Sequence, residues 1–175
     1  MNILLINPSQ EKVYGMKMAP IYPPLGLLYI GSVIKNLGHN IELLDIDADK
    51  ITPSDFRNKL ELFKPQVIGI TSVTATINDA LKWARETKEW NSSAKVVMGG
   101  IHATIDPFTL AKDKNIDFVV IGEGEVTIAE LIKAIEKGPL AHSTVAGIAY
   151  KSGPDIVQGD KRELITRLDD IIFPD

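Results

Sequence analysis

The residues able to do chemistry sit in four short segments: Asn7-Pro8-Ser9, Thr71-Ser72-Val73-Thr74, Gly99-Gly100-Ile101-His102 and Gly122-Glu123-Gly124-Glu125. Each follows an apolar run and is rich in small or hydroxyl residues. Small residues let a large ligand lie close to the backbone, and hydroxyls with free amides hydrogen-bond its edges. That chemistry is recognition. The groupings that break bonds are missing from the sequence: no nucleophile elbow, Walker loop or H-E-x-x-H, and no carboxylate pair spaced for a shared face. The chain also contains no cysteine, which removes disulfides, thiolate zinc sites, cysteine nucleophiles and cysteine-held iron–sulfur clusters within it.

Every segment also has a plain structural reading. Gly99-Gly100 reads equally as a tight strand-to-loop turn. Thr71, Ser72, Thr74 and Thr76 include one or two caps for the helix starting near Ile77, although four hydroxyls in six residues exceed what a cap needs. Gly122-Glu123-Gly124 is a common spacing, and Glu123 and Glu125 repel phosphate, so acids complementing a helix N-terminus are the better reading. His102 on its loop reads as a surface histidine more readily than as a metal ligand, and no metal site is expected. His39, just after a helix-stopping glycine, and His142 are read as structural.

The elements that must position these segments alternate strand with helix. Asn2–Ile6 reads as a strand, and Pro23–Leu37 as a helix with Leu27, Ile30, Val33, Ile34 and Leu37 on one side, stopped by Gly38. Ile41–Asp45 is a second strand. Thr52-Pro53-Ser54-Asp55 then sets a hydroxyl cap, a proline at the first helical position and an acid in the first turn. Val67–Thr71 is apolar throughout, as expected of a central parallel strand covered on both faces. A helix at about Ile77–Glu89, a strand at Lys95–Met98, a short helix capped by Asp106-Pro107, a strand at Asp117–Ile121 and a helix at Glu125–Lys137 complete the pattern. Five such units predict an α/β, doubly wound, mainly parallel five-stranded sheet, flavodoxin-like or Rossmann-like, in the order 2-1-3-4-5. Val145–Tyr150 and Ile156-Val157 flank Ser152-Gly153-Pro154-Asp155 and predict a C-terminal edge hairpin. Ligands of open parallel sheets bind at the carboxyl ends of the strands, where the four segments converge.

Composition narrows the partners. With 175 residues, one hydrophobic core is the default. A net charge of −4 and a 6% aromatic content argue against nucleic acid, which needs a basic face or a stacking platform. No apolar run is long enough to span a bilayer and no basic segment opens the chain, so no membrane partner is expected and the cytoplasm is the expected setting.

The ordered set of motifs resembles the N-terminal cobalamin-binding domain of B12-dependent radical SAM enzymes. Carrying the likeness are Ile3–Pro8, Pro23-Pro24-Leu25-Gly26-Leu27-Leu28-Tyr29-Ile30, Leu37-Gly38-His39 leading into Leu44-Asp45, Val67–Ser72, Met98–Thr104 and Ile121–Glu125. The resemblance implies that this chain binds cobalamin. The nucleotide tail would enter a slot between sheet and helices, and the corrin would lie across the strand ends. Thr71-Ser72-Val73 stands where the family's S-x-L element contacts the tail, with Thr71 the leading candidate. Gly99-Gly100 matches the glycine pair that leaves room for the tail, so a leucine at 100 is expected to block uptake with the fold intact. Asn7-Pro8 and Pro24-Leu25 would border the corrin, and Ser72, Val73, Thr74, His102, Gly122, Glu123 and Gly124 complete the cofactor-binding set.

Two departures from the wider cobalamin class are informative. Its D-x-H-x-x-G element is missing, since Asn7-Pro8-Ser9-Gln10-Glu11-Lys12 follows the first strand. The resemblance therefore implies a base-off cofactor without a histidine ligand from the protein. The three cysteines of a radical SAM cluster are absent too, so the [4Fe-4S] cluster and S-adenosylmethionine are expected only in a downstream domain in cis. Residues 1–140 are expected to form the cobalamin domain, 141–160 an edge hairpin packed on it, and 161–175 an exit linker. The chain is then a non-catalytic cofactor carrier serving methyl transfer or cyclase-type chemistry. Competing readings are a flavodoxin-like or receiver-like module, for which Asp45 and Asp47 offer acids but the first strand ends in Asn7 and the third in Thr71, so the phosphoacceptor aspartate is missing, and half of a nucleotide-binding enzyme.

Overall fold

The apolar runs of the central strands cannot turn one face to water, and these strands are sandwiched. In β1 (Asn2–Asn7), Leu4 and Ile6 point to one side while Ile3 and Leu5 point to the other, and all four are buried. A computed structural model describes residues 1–11, 22–138, 141–167, 169 and 171–174. Among these, β1, β2 (Asn40–Asp45), β3 (Val67–Thr71), β4 (Lys95–Gly99), β5 (Phe118–Val120), β6 (Ile148–Ser152) and β7 (Asp155–Gln158) form one sheet in the order β2-β1-β3-β4-β5-β6-β7. The first five strands are parallel, and β6 and β7 add an antiparallel hairpin to the β5 edge. The doubly wound fold, its 2-1-3-4-5 order and its edge hairpin are as the sequence predicts.

The hairpin begins later than its apolar pattern suggests. Val145 is buried but lies outside β6, because Gly147 takes a left-handed φ of 76° and its N–H turns to the Asp160 carbonyl. The strand can start only beyond that break.

Two helical layers cover the sheet. On the first face, α2 (Pro53–Phe63), α3 (Ile77–Trp90), α4 (Ile101–Ile105) and α5 (Pro107–Lys112) pack over Leu4, Ile6, Ile68, Ile70, Val96 and Met98. Phe56 of α2 meets Trp83 of α3 edge-to-face, with ring centroids 4.8 Å apart. Full burial of such side chains stabilises by about 1.5–3 kcal/mol each, so this layer is held firmly. On the second face, among the described residues, lie α1 (Leu25–Asn36) and α6 (Glu125–Lys137), with Leu27 and Ile34 of one and Ile128, Leu131 and Ile132 of the other against Ile3, Leu5, Val67 and Val97.

Local signals end and begin these helices. Thr52 caps α2 through the Asp55 amide, while the Asp55 carboxylate accepts from the Thr52 N–H and hydroxyl, a reciprocal box that holds the Asp55 carboxyl below its ordinary range. Asp106 accepts from the Thr109 amide at the start of α5. Gly38, in the left-handed region, terminates α1 with its N–H on the Lys35 carbonyl. His39 is tied at the far end of the sheet, where its Nδ1 meets the N-terminal amine at 3.2 Å.

Candidate functional site

Pairing register decides what the second face offers at its upper end. Leu5, Gly69 and Val97 stand in one row across β1, β3 and β4, and Thr71 is paired with Gly99 in the next. Two positions that would otherwise project side chains toward α1 and α6 are therefore glycine. The result is a recess of about 230 Å³ between the strand ends and the first turns of both helices. Leu5, Val97, Leu27, Ile30, Val120 and Ile128 supply apolar walls, and Thr71, Glu123 and Glu125 supply polar groups. A volume below the ~300–1,000 Å³ of whole small-molecule pockets suits one part of a large ligand.

The glycines differ in why they are glycine. A Cβ built on Gly99 would meet nothing closer than Val120 Cβ at 4.0 Å, so local packing does not require glycine there; the space is left open. At Gly69 a Cβ would come within 2.8 Å of Leu5 Cδ2, the end of a flexible side chain. Gly100 is another matter. Its φ is 92°, and a Cβ would lie 2.5 Å from the Ser72 carbonyl oxygen and 2.7 Å from the Ser72 nitrogen. The expectation that leucine at 100 fills a slot without disturbing the fold is therefore corrected, because backbone conformation and contact both demand glycine there.

Six sequence candidates line the recess: Thr71, Gly99, Gly100, Gly122, Glu123 and Gly124. The Thr71 hydroxyl makes no hydrogen bond to the described residues and is available to a ligand. Thr104 Oγ1 donates to the Gly100 carbonyl and accepts from the Gly122 N–H, joining the two glycine loops. Glu123 Oε2 accepts from the Ile165 amide at 2.8 Å.

The other candidates lie beside the recess, not on it. Ser72 is fully buried, its hydroxyl donating to the Gly99 carbonyl at 2.9 Å, its N–H to the same oxygen, and its carbonyl accepting from the His102 N–H. It stitches two loops together and leaves its hydroxyl engaged. Val73 and Thr74 belong to the turn before α3, where Thr76 Oγ1 accepts from the Val73 N–H; no side chain caps α3 itself, so the capping expected of one or two hydroxyls in this run is not what they do. Thr74 Oγ1 lies 3.2 Å from His102 Nδ1. Pro24 and Leu25 sit at the start of α1 next to Gly26, which does line the recess.

Asn7 donates to Asp45 Oδ2, and Pro8 is buried. The Ser9 and Gln10 amides donate to Asp79 and Asp47. The acids that suggested a receiver-like pocket thus hold the β1 loop, and no group of three potential metal ligands occurs among the described residues. His142 packs between the rings of Phe118 and Tyr150, where burial and then the nearby Lys95 charge hold its pKa below the ordinary value.

Sequence reasoning missed Gly26, Leu27, Ile30 and Gly69. A glycine inside an apolar strand was the available signal at 69, since such a residue marks close approach by another backbone or a ligand.

A family model described as B12 binding domain matches residues 11–132. An uncharacterised methyltransferase of Pyrococcus horikoshii is 35% identical over 99% of this chain and 38% of its own length. An anaerobic magnesium-protoporphyrin IX monomethyl ester cyclase of Rubrivivax gelatinosus is 31% identical over 89% of the chain and 28% of its own length. The structure of the radical S-adenosylmethionine methyltransferase TsrM from Kitasatospora setae, with cobalamin and a [4Fe-4S] cluster bound, superposes with a TM-score of 0.79 at 21% identity, covering 99% of this chain and 31% of that one. The chain thus spans about a third of the length of these proteins.

Proposed function

The chain belongs to the B12-binding domain family, and on that premise we propose that the recess under α1 and α6 receives the nucleotide tail of cobalamin while the loops at the strand ends face the corrin. The observation that carries this reading is the open position at Gly99: a Cβ there would meet nothing closer than 4.0 Å, yet the space is kept empty beside a Thr71 hydroxyl that bonds to none of the described residues. When bound, cobalamin supplies the cobalt chemistry of alkyl transfer, and the protein supplies placement and shielding. Thr71 donates or accepts one hydrogen bond at the recess floor. Leu5, Leu27, Ile30 and Val97 exclude water from the buried part, and Thr104 ties the Gly100 loop to the Gly122 loop.

In this reading no histidine of the chain would hold the cofactor's metal. His39 lies at the opposite end of the sheet and His142 is packed among rings; His102, whose Nδ1 faces Thr74, is the histidine that cobalt EPR tests. Cobalt EPR of the reconstituted chain is expected to lack nitrogen coupling from the protein; a coupled histidine nitrogen would overturn this assignment.

Residues 161–175 are proposed to lead into a radical SAM domain in cis that holds the [4Fe-4S] cluster and S-adenosylmethionine, for methyl transfer or cyclase-type chemistry. Supporting this, the segment is pinned beside the recess: Arg162 Nε donates to Thr127 Oγ1 at 2.7 Å and pairs with Glu130, Ile165 N–H reaches Glu123, and Phe173 packs edge-on against Tyr29 of α1. Within the closing stretch, Leu168, Asp170 and Asp175 lie outside the described residues. We place the protein in the cytoplasm; no helix among the described residues is long and apolar enough to cross a membrane. The direct test is reconstitution with hydroxocobalamin followed by desalting. Retained corrin absorption is expected, and a colourless folded protein would refute the reading.

A further inference from the structure

The recess contains one polar atom that the protein leaves unsatisfied. Glu125 opens α6 and lines the recess, and its Oε2 is buried without a hydrogen-bond partner among the described residues. Its companion in the same loop, Glu123, is engaged by the Ile165 amide. An acid in a first helical turn complements the helix dipole, but that interaction requires no burial. Withdrawing a carboxylate oxygen from water with no donor is costly, and such an orphan in a recess points to a donor arriving from outside the chain.

The chemistry of that donor is constrained. A carboxylate accepts only. It repels phosphate, so the group it meets is an O–H or N–H. If the recess is the slot for the cobalamin tail, as proposed above and as this inference presupposes, the entering part is the nucleotide, because the volume is too small for the macrocycle. Within the nucleotide, dimethylbenzimidazole offers an acceptor nitrogen and the phosphate offers acceptor oxygens. The ribose hydroxyls are the donors. We propose that Glu125 is a specificity-determining residue whose Oε2 accepts a hydrogen bond from a ribose hydroxyl of the tail, so that the site selects a corrinoid carrying its nucleotide over one lacking it.

The test titrates two ligands, hydroxocobalamin and the tail-less cobinamide, into the wild-type chain, Glu125→Ala and Glu125→Gln, with circular dichroism confirming the fold of each. Glu125→Ala is expected to weaken hydroxocobalamin binding about 10- to 100-fold, the span for a hydrogen bond to a charged group, and to change cobinamide binding less than about 2-fold. Glu125→Gln, which keeps the shape and one acceptor oxygen, is expected to fall between wild type and Glu125→Ala for hydroxocobalamin. Undiminished hydroxocobalamin binding by Glu125→Ala, or an equal loss for both ligands, would overturn the inference while leaving the cobalamin reading standing. A wild-type chain that binds neither ligand would remove both.

Discussion

Replacing Gly99 with leucine separates a ligand slot from an accidental hollow. The backbone there is outside the left-handed region, and the first added carbon finds its nearest neighbour at 4.0 Å, so the fold can accept the change. At about 30 Å³ per added carbon group, the share one water takes of liquid volume, four carbons fill on the order of half of the 230 Å³ recess. The new side chain lands among Leu27, Ile30 and Val120 and buries apolar surface, with up to about 1.5–3 kcal/mol in favour of the folded state. Thermal unfolding of Gly99→Leu is therefore expected at or above the wild-type temperature. Hydroxocobalamin binding, measured by retained colour and by titration, is expected to weaken at least ~100-fold, about 2.7 kcal/mol at 25 °C. Stability maintained together with wild-type affinity would refute the slot. A large drop in melting temperature would refute the packing argument on which the prediction rests.

Three further outcomes follow from neighbouring observations. Gly100→Ala should destabilise by about 1–3 kcal/mol whether or not ligand is present, since it forces a Cβ against the Ser72 backbone at a positive φ; chemical denaturation of the apo chain measures it. Thr71→Val should lower hydroxocobalamin affinity by roughly 2- to 10-fold, the span for one neutral hydrogen bond, with an unchanged unfolding midpoint. His142 has a folded pKa below 6.5, so the unfolded chain binds the proton more readily and stability should decline as pH falls below 6.5 toward the folded value. Denaturant midpoints on either side of that value should lose part of their pH dependence in His142→Gln, and an NMR titration at or above the ordinary histidine value would contradict the sign.

Much of the fold is readable residue by residue. Thr52-Pro53-Ser54-Asp55 announces a helix start, Gly38 a helix end, and the all-apolar Val67–Thr71 a central strand, because caps, left-handed glycines and double-sided burial act within a few residues. The alternation of these units then allows few topologies, and the 2-1-3-4-5 order is among them. The likeness of the loops to cobalamin domains was equally open to reading, since those segments keep their residue types in order along the chain.

Which side chains share the recess was not readable, because that depends on register and on which face each strand residue turns to. Gly69 looks like a gap in an apolar run until pairing sets it between Leu5 and Val97, one row below Gly99. Ser72 and Gly100 look like ligand contacts until the hydroxyl of one is found on the Gly99 carbonyl and the absent Cβ of the other against the Ser72 backbone. The sequence by itself determined the elements, since caps, breaks and burial patterns act between neighbours along the chain, and the β-α alternation then fixed their order; the ligand class came from the likeness of the strand-end loops to cobalamin domains. Only the tertiary structure decided that Gly99 leaves the space and Gly100 makes the turn, because a one-residue step along a strand reverses the face a side chain occupies.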